Sequence, residues 1–294
     1  MRLVAAGQVV ETSKPLVMGV VNATPDSFSD AGLHATASDQ VAHGLKLVEA
    51  GADLLDVGGL SAVTNKPAIS VDEEATRVVP VIAGLRDAGV ELISVDTWRG
   101  DVAAAAVEAG ASIVNDISGL EDPGLATVCA RTGAALVLMH TRSKPKTRAV
   151  DLDYDDITEE VREFLAGRIE AAAALGVNRE STIIDPGPDF SKSPAQTVEL
   201  LRALPDLRSL ERPILLAVSR KDFVGALTGR RPRDRGAGTL AAIGHGLDAG
   251  VSILRVHDVA PTVDYLAVRA ALRGETELSP DTRLPEHLLR EEHP

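Results

Sequence analysis

The chain has 294 residues, of which 45% are hydrophobic, and a formal net charge of −13 at pH 7. This length and apolar content are sufficient for a large core in one α/β domain. The negative charge and the scattered arginines argue against a nucleic-acid or anionic-membrane surface, because neutralising phosphates requires a clustered basic face. The expected partner is therefore a small molecule.

The chain contains one cysteine, Cys129, so an internal disulfide is excluded. Its apolar neighbours in TVCARTG favour a buried small hydrophobe over a nucleophile. No apolar run approaches the roughly 20 residues of a membrane span, and the N-terminal apolar stretch is too short for a signal peptide. These features predict a cytoplasmic protein with no membrane partner.

Short runs rich in Val, Ile and Leu alternate with longer segments of helical period, which is typical of parallel βα units. The eight predicted strands cover residues 16–22, 53–58, 92–96, 112–116, 135–140, 182–186, 213–219 and 252–257. The segments between them include predicted helices over 39–51, 72–89, 99–110 and 158–176, which end at glycine.

Eight βα units in about 250 residues predict a single-domain (β/α)₈ TIM barrel. The alternative is a doubly wound sheet, which usually has fewer strands and a phosphate-binding glycine fingerprint that this sequence lacks. The predicted barrel covers residues 1–274, including a short N-terminal extension. A charged, proline-punctuated tail over 275–294 is expected to lie outside it.

Polar residues stand at the carboxyl end of each predicted strand, where barrel enzymes place their chemistry. They are Asn22, Asp56, Asp96, Asn115 with Asp116, His140, Asp185, Ser219 with Arg220 and Lys221, and Arg255 with His257. A single aspartate in such a position is more often a helix cap or turn former, and Asp56 and Asp116 are open to that interpretation. The complete set favours a functional site.

Two groups can be distinguished by their chemistry. One group suits the donor and acceptor edge of a flat heterocycle, and it consists of Asp96, Asn115, Asp185 and Lys221. The other suits a phosphate or diphosphate, and it consists of Asn22, Arg255 and His257. Motifs of metalloproteases, zinc sites, serine hydrolases and P-loop nucleotide enzymes are absent from the sequence.

Several segments resemble the dihydropteroate synthases, which are pterin-binding barrels. MGVVNATPDSFSDAG over 18–32 is similar to the first signature of that family. Further matches follow in the family's order, and they are SVDT (94–97), NDISG (115–119), LMH (138–140), DPGPDFSK (185–192), SRKDFVG (219–225) and RVHDV (255–259). The ordered combination covers nearly the whole chain and is far more specific than any one segment.

The resemblance implies a transferase of folate biosynthesis that joins 6-hydroxymethyl-7,8-dihydropterin diphosphate to 4-aminobenzoate and releases diphosphate. It assigns the pterin to Asp96, Asn115, Asp185, Lys221 and Arg255, with Asp96, Asp185 and Lys221 as catalytic residues. It assigns the diphosphate to Asn22, Arg255 and His257, and a Mg²⁺ ion to Asn22. It also implies a homodimer.

The implied mechanism needs no protein nucleophile. Breaking the C–O bond leaves a pterin methylene cation and a negatively charged diphosphate, and positioned charges stabilise both. In the family, loops after the first and second strands close over this cation and exclude water. The first loop here is ATPDSFSDAGLHATAS, residues 23–38.

The second loop departs from the family pattern Gly-Gly-Glu-Ser-Thr-Arg-Pro-Gly, because the chain reads GGLSAVTN over 58–65. The family's Thr and Arg, which belong to the second-substrate region, are replaced by Ala62 and Val63. A hydroxyl and a guanidinium are therefore missing, and a contact to a charged group is worth about 1.5 to 3 kcal/mol. Lys66 or Arg142 is a possible substitute for the arginine.

The same region is expected to include Phe190, Ser219, Arg220 and Asp222. Asp222 replaces a small hydroxyl residue of the family, and Asp189 replaces a small residue. A carboxylate facing the carboxylate of 4-aminobenzoate would be repelled by roughly 4 kcal/mol at about 4 Å in an intermediate dielectric. The alternative is that Asp222 caps the following helix and points away from the site.

Three hypotheses follow for the function. The first is a working dihydropteroate synthase with a divergent second loop. The second is a paralogue that keeps the pterin diphosphate site but uses another acceptor or turns over poorly. The third is a non-catalytic pterin-binding or partner subunit.

Overall fold

The computed structural model describes residues 1–24, 36–60, 69–147 and 152–289. Within these ranges the strands are β1 (Arg2–Ala5), β2 (Gln8–Glu11), β3 (Leu16–Asn22), β4 (Leu54–Gly58), β5 (Ile93–Asp96), β6 (Ile113–Asp116), β7 (Ala135–Met139), β8 (Thr182–Asp185), β9 (Leu215–Leu216) and β10 (Ile253–Val256). The α-helices are α1 (Ala37–Glu49), α2 (Val71–Asp87), α3 (Gly100–Glu108), α4 (Pro123–Thr132), α5 (Ile157–Ala174), α6 (Pro194–Arg202), α7 (Asp222–Thr228), α8 (Gly236–Asp248) and α9 (Val259–Leu272).

Strands β3 to β10 form one eight-stranded parallel sheet in the order β8, β7, β6, β5, β4, β3, β10, β9. A parallel bridge between Ile184 and Ile214 joins its two edges, so the sheet closes into a barrel with helices around it. The (β/α)₈ prediction is confirmed, and each of the eight predicted strands overlaps an observed one. The seventh is the shortest, because only Leu215 and Leu216 form a regular ladder in a segment predicted over 213–219.

The predicted glycine ends of the helices are also present. After α1, Gly51 has a φ of +100° and donates its N–H to the carbonyl of Val48, while Ala52 donates to Leu47. This pair of bonds satisfies the last carbonyls of the helix and turns the chain towards the next strand. None of the described helices is long and apolar enough to cross a membrane.

The residues that face the barrel interior form a separate apolar cluster. It contains Leu3, Ala5, Leu16, Met18, Leu54, Ile113, Ala135, Val137, Ile183, Leu215, Ala217 and Ile253. Leu3 and Ala5 belong to the antiparallel hairpin of β1 and β2, which the sequence indicated only as an N-terminal extension. The hairpin therefore contributes its apolar side to the barrel core. Residues 275–286 of the predicted tail are exposed.

We predict that Leu3→Ala lowers the free energy of unfolding by about 2 to 5 kcal/mol, because a fully buried leucine leaves a cavity in the barrel core. The matched control is Val9→Ala on β2, whose side chain is exposed and whose loss should change stability by less than about 0.5 kcal/mol. Urea unfolding followed by circular dichroism measures both. Equal stability of the two variants would show that the hairpin does not close the core.

Candidate functional site

A cavity of about 960 Å³ opens at the carboxyl ends of the barrel strands. Because parallel strands end at the same rim, the polar residues that follow them in sequence meet there. The lining includes every described residue of the predicted site, namely Asn22, Asp96, Asn115, Asp185, Phe190, Ser219, Arg220, Lys221, Asp222, Arg255 and His257. The predicted positions Ala62 and Val63, and the possible substitute Lys66, lie outside the described residues.

The centre of the cavity floor is a charge cluster around Arg255 of β10. Its Nε donates to Asp56 Oδ2 at 2.6 Å, and an Nη donates to Asp96 Oδ2 at 2.9 Å. Asn115 Nδ2 donates to the same oxygen of Asp56 at 3.1 Å. Four strands are thereby linked by side chains at one rim, and the guanidinium is held in a single orientation.

The two carboxylate oxygens of Asp96 differ, because one is in an ion pair with Arg255 and the other has no partner among the described residues. Burial raises the pKa of Asp96 to about 7, although Arg255 opposes this shift and Asp56 adds to it. Its Oδ1 is buried and has no hydrogen-bond partner among the described residues. Leaving a buried carboxylate oxygen without a partner is costly, so this atom is suited to receive a donor from a bound ligand.

Lys221 and Asp185 form the opposite wall of the cavity. The Lys221 ammonium lies over the ring of Phe190, 4.2 Å from its centroid. Burial lowers the pKa of Lys221, and the carboxylates of Asp189 and Asp185 oppose that shift. Asp185 Oδ1 accepts from the N–H of Gly187 at 2.7 Å, and burial raises the pKa of Asp185. The wall therefore offers a cation, a carboxyl group and an aromatic face.

His257 and Ser219 connect the two sides of the rim. Ser219 Oγ accepts from the backbone N–H of His257 at 3.2 Å and lies 3.0 Å from its Nδ1. Burial in the cleft, followed by the charges of Arg255 and Arg220, lowers the pKa of His257 to about 4. The imidazole is therefore neutral near pH 7, when it can still donate one N–H.

Two charged residues of the predicted second-substrate region are engaged elsewhere. Arg220 makes a two-bond pair with the carboxylate of Asp258, at 3.0 and 2.5 Å. The side chain of Asp222 is 83% exposed and pairs with Arg235 at 3.0 Å. Asp222 therefore lines the cavity with a carboxylate that is already paired, and the alternative that it caps the following helix is wrong. The cap of α7 is made by a different aspartate, Asp189, whose Oδ2 accepts from the N–H of Asp222.

Arg142, considered above as a substitute for the missing arginine, is also engaged. Its guanidinium pairs with Glu160, donates to the carbonyl of Asp153 at 2.6 Å and lies over the Tyr154 ring at 4.1 Å. A new role with a ligand would require breaking these contacts.

The sequence pattern did not indicate the central role of Asp56, because an aspartate at a strand end is also typical of a cap or turn. The alternation of side chains along β4 could have indicated this role. Leu54 faces the barrel interior, and Asp56, two residues further along the strand, faces the same side. Asp116 is structural, since it accepts from the N–H and hydroxyl of Ser118 at 2.7 and 2.6 Å.

Lys192 was missed as well. Its buried Nζ lies 2.8 Å from His140 Nδ1 and donates to the carbonyls of Gly187 and Phe190, both at 3.0 Å. Burial lowers its pKa to about 7. These bonds hold the segment that carries Phe190. The contact between Lys192 and His140 could not be predicted from the sequence, because the two residues are 52 positions apart.

Together the fold and the site are those of a barrel enzyme, with a polar, charged cavity at the carboxyl ends of the strands that suits a small molecule. The model of the family described as "Pterin binding enzyme" matches residues 18–257. A dihydropteroate synthase structure from Xanthomonas albilineans with 4-aminobenzoic acid is 46% identical, with a TM-score of 0.86, covering 92% of this chain and 98% of that chain. The chain belongs to the dihydropteroate synthase family of pterin-binding enzymes.

Relatives with different names have similar sequence identity to this chain. The dihydropteroate synthase of Escherichia coli strain K12 is 37% identical over 94% of this chain and 98% of its own length. A protein of Mycobacterium bovis named "Inactive dihydropteroate synthase 2" is 42% identical over 94% of this chain and 88% of its own length. Family membership alone therefore does not fix the catalytic rate.

We predict that Asp56→Asn lowers the free energy of unfolding by about 3 kcal/mol, because Arg255 loses the charge of its shorter ion pair inside the barrel. The control is Asp53→Asn, since the Asp53 carboxylate accepts the N–H of Val17 at 2.7 Å and an amide oxygen can do the same. Its expected cost is below about 1 kcal/mol. Denaturant unfolding compares them, and an equal loss in both variants would contradict the central role of Asp56.

Proposed function

We propose that the protein binds 6-hydroxymethyl-7,8-dihydropterin diphosphate and transfers the pterinylmethyl group to the amine of 4-aminobenzoate, with release of diphosphate. The observation that carries this proposal is the unpaired, buried Asp96 Oδ1 in the same cavity as the cations of Lys221 and Arg255. A pterin ring has N–H donors for the carboxylates, and its diphosphate needs the cations. Similarity to dihydropteroate synthases supports the same assignment.

The pterin would be held along its polar edge. Asp96 and Asp185 offer carboxyl groups, Asn115 an amide, and Lys221 an ammonium group. The planar guanidinium of Arg255 would lie against the ring, held in place by Asp56 and Asp96. As the C–O bond breaks, its electron pair leaves with the diphosphate and positive charge spreads into the pterin. The nearby carboxylates then stabilise that charge without having to move.

The leaving diphosphate would be met by Arg255, His257 and Asn22. His257 is neutral near pH 7 and would contribute a hydrogen bond, while Arg255 contributes the charge. The amine of the acceptor forms the new C–N bond and loses one proton. No side chain is required as a nucleophile.

A Mg²⁺ ion at this site would need ligands from the substrate as well as from the protein. The described residues contain no group of three or more His, Cys, Asp or Glu side chains arranged to hold a metal ion. Mg²⁺ commonly takes one or two protein oxygens together with waters and substrate phosphates. Asn22 would provide a neutral amide oxygen, and the diphosphate would provide the anionic oxygens. When bound, the ion would neutralise charge on the leaving group.

The acceptor side is less complete than the pterin side. Phe190 and Ser219 offer an aromatic face and a hydroxyl, but Arg220 is paired with Asp258. The chain also has Ala62 and Val63 where the family pattern has a hydroxyl and a guanidinium. These features favour a second candidate, a paralogue that binds the pterin diphosphate but uses another acceptor or turns over poorly. The similarity to proteins named inactive supports it too.

A homodimer and a cytoplasmic location complete the proposal. Exposed apolar side chains on α9, Val268 and Leu272, support an interface on the outer face of the barrel. Sedimentation velocity would test the dimer. The single, buried Cys129 is compatible with a reducing compartment, and fractionation of the source cells would test the location.

The proposed function is tested by incubating the protein with the pterin diphosphate, 4-aminobenzoate and Mg²⁺, and measuring diphosphate and dihydropteroate together. We expect equal amounts of both products. Asp96→Asn is the matched variant, and its rate should fall on the order of 100-fold because one preorganised charge is lost.

Diphosphate without dihydropteroate would support the second candidate instead. If neither product forms, calorimetric titration with the pterin diphosphate decides whether the protein is a binding subunit. The absence of both turnover and binding would refute the whole assignment.

We predict that pterin affinity depends on pH through Asp96. Its pKa is raised to about 7, so the carboxyl is mostly protonated below that pH and ionised above it. Because an ionised carboxylate accepts the pterin N–H groups best, the affinity should fall roughly tenfold per unit as the pH drops below about 7. Calorimetry between about pH 5.5 and about pH 8.5 measures this change. Asp96→Asn should bind weakly with no such dependence, and an unchanged slope in that variant would exclude Asp96 as its origin.

A further inference from the structure

The segment from Gly187 to Lys192 contains two residues in a strained conformation. Asp189 and Ser191 have φ values of +63° and +53°, a region that favours glycine and costs other residues about 1 to 2 kcal/mol. Such strain persists only where surrounding contacts enforce it, and it is often found at functional sites. The side chains of both residues make these contacts.

Ser191 fastens one side of the segment. Its hydroxyl lies 3.1 Å from Thr141 Oγ1 and 2.8 Å from Ser143 Oγ, and it accepts from the N–H of Arg142 at 3.2 Å. The buried ammonium of Lys192 binds two carbonyls of the segment from below. The segment is therefore tied to the loop after β7.

Asp189 fastens the other side, to the start of α7. Its Oδ2 accepts from the N–H of Asp222 at 2.5 Å and from that of Phe223 at 3.4 Å. Its Oδ1 accepts from Thr197 Oγ1 at 3.1 Å, which orients the carboxylate. The N-cap residue of α7 is Lys221, whose own side chain makes no capping bond. Asp189 thus supplies the cap from a different loop.

Lys221 immediately precedes the capped N–H groups, so the cap affects its position. Its backbone is held by Asp189, and its ammonium lies over Phe190, the next residue after Asp189. One strained turn therefore binds the peptide group that follows Lys221, whose carbonyl also accepts from Arg235 at 3.0 Å, and supplies the aromatic surface beneath the Lys221 charge.

We infer that Asp189 is a positioning residue that caps α7 and thereby holds Lys221 in place at the wall of the cavity. Its importance for catalysis rests on the function proposed above. Asp189 does not need to touch the substrate, and it acts through Lys221. This role also explains how a carboxylate is tolerated near the acceptor side, because its oxygens are already occupied by helix N–H groups and a hydroxyl.

The charge of Lys221 depends on the ionisable groups around it. Those facing it from the packed elements are Asp185, Asp189, Asp222, Lys192, Arg255 and His257. Burial lowers the pKa of Lys221, and Asp189 is the strongest opposing influence, ahead of Asp185. Asp222 contributes less, since its side chain is exposed and paired with Arg235. Removing the charge of Asp189 should therefore lower the pKa of Lys221 further.

The first test compares Asp189→Asn with wild type by competitive acetylation with acetic anhydride across a range of pH, with Lys221 quantified by peptide mass spectrometry. The amide oxygen can still accept the helix N–H groups, so this variant removes the charge and keeps the cap. We expect the pH of half-maximal labelling of Lys221 to fall by about 1 unit. No substrate is needed, so the result does not depend on catalytic activity.

The matched control is Asp122→Asn. Asp122 also accepts two backbone N–H groups, from Gly100 at the start of α3 at 2.7 Å and from Gly124 at 2.8 Å. It is not part of the cavity lining, and its variant should leave the Lys221 profile unchanged. Thr197→Val, which removes the hydroxyl that orients Asp189, is a second test variant and should shift the profile in the same direction as Asp189→Asn.

The second readout is the pH dependence of diphosphate release. In Asp189→Asn, kcat should decline at lower alkaline pH than in wild type, while Asp189→Ala should in addition raise KM because the cap is lost. If wild type releases no diphosphate, the proposed function fails but the labelling experiment still decides the role of Asp189. Labelling profiles of Asp189→Asn and Thr197→Val that coincide with wild type would overturn the inference.

Discussion

The site depends on one guanidinium placed between two carboxylates inside a closed barrel. Arg255 pairs with Asp56 and Asp96, and burial alone would lower the pKa of Arg255, but these two neighbours outweigh it and raise the pKa. A buried charge of this kind is tolerated only with such partners. The arrangement fixes a flat, charged surface at the centre of the mouth, and it leaves one oxygen of Asp96 for a ligand.

The two halves of the site are built differently. The proposed pterin half consists mostly of side chains at the ends of barrel strands, with Lys221 added from the loop before α7. In the proposed acceptor half, the sequence has Ala62, Val63 and Asp222 where the family pattern has other residues. Asp189 and Ser191 both have a left-handed backbone conformation, and hydrogen bonds of their side chains hold them in it. The proposed pterin site thus keeps the residues of the family pattern, whereas the proposed acceptor site departs from them.

Much of this organisation was predictable, because strand periodicity and strand-end polarity are local signals. Apolar runs indicate the eight strands, and most of the polar residues at their ends line the cavity, although Asp56, Asp116 and His140 do not. The N-terminal hairpin was missed because its four-residue strands resemble an ordinary extension. The engagement of Arg220 with Asp258 and of Asp222 with Arg235 was not predictable, because it depends on side-chain directions rather than on residue types.

The sequence by itself determined the barrel, the rim on which chemistry takes place and the residue types available there, since each follows from a repeated local pattern. Only the tertiary structure decided which charges are available to a ligand and which are already paired. It placed Asp56 beneath Arg255 across 199 positions of the chain, and it used Asp189 to cap a helix 33 residues away. Such pairings arise when the barrel closes and distant loops share one small volume. Their energies depend on burial and distance, which are properties of the folded molecule.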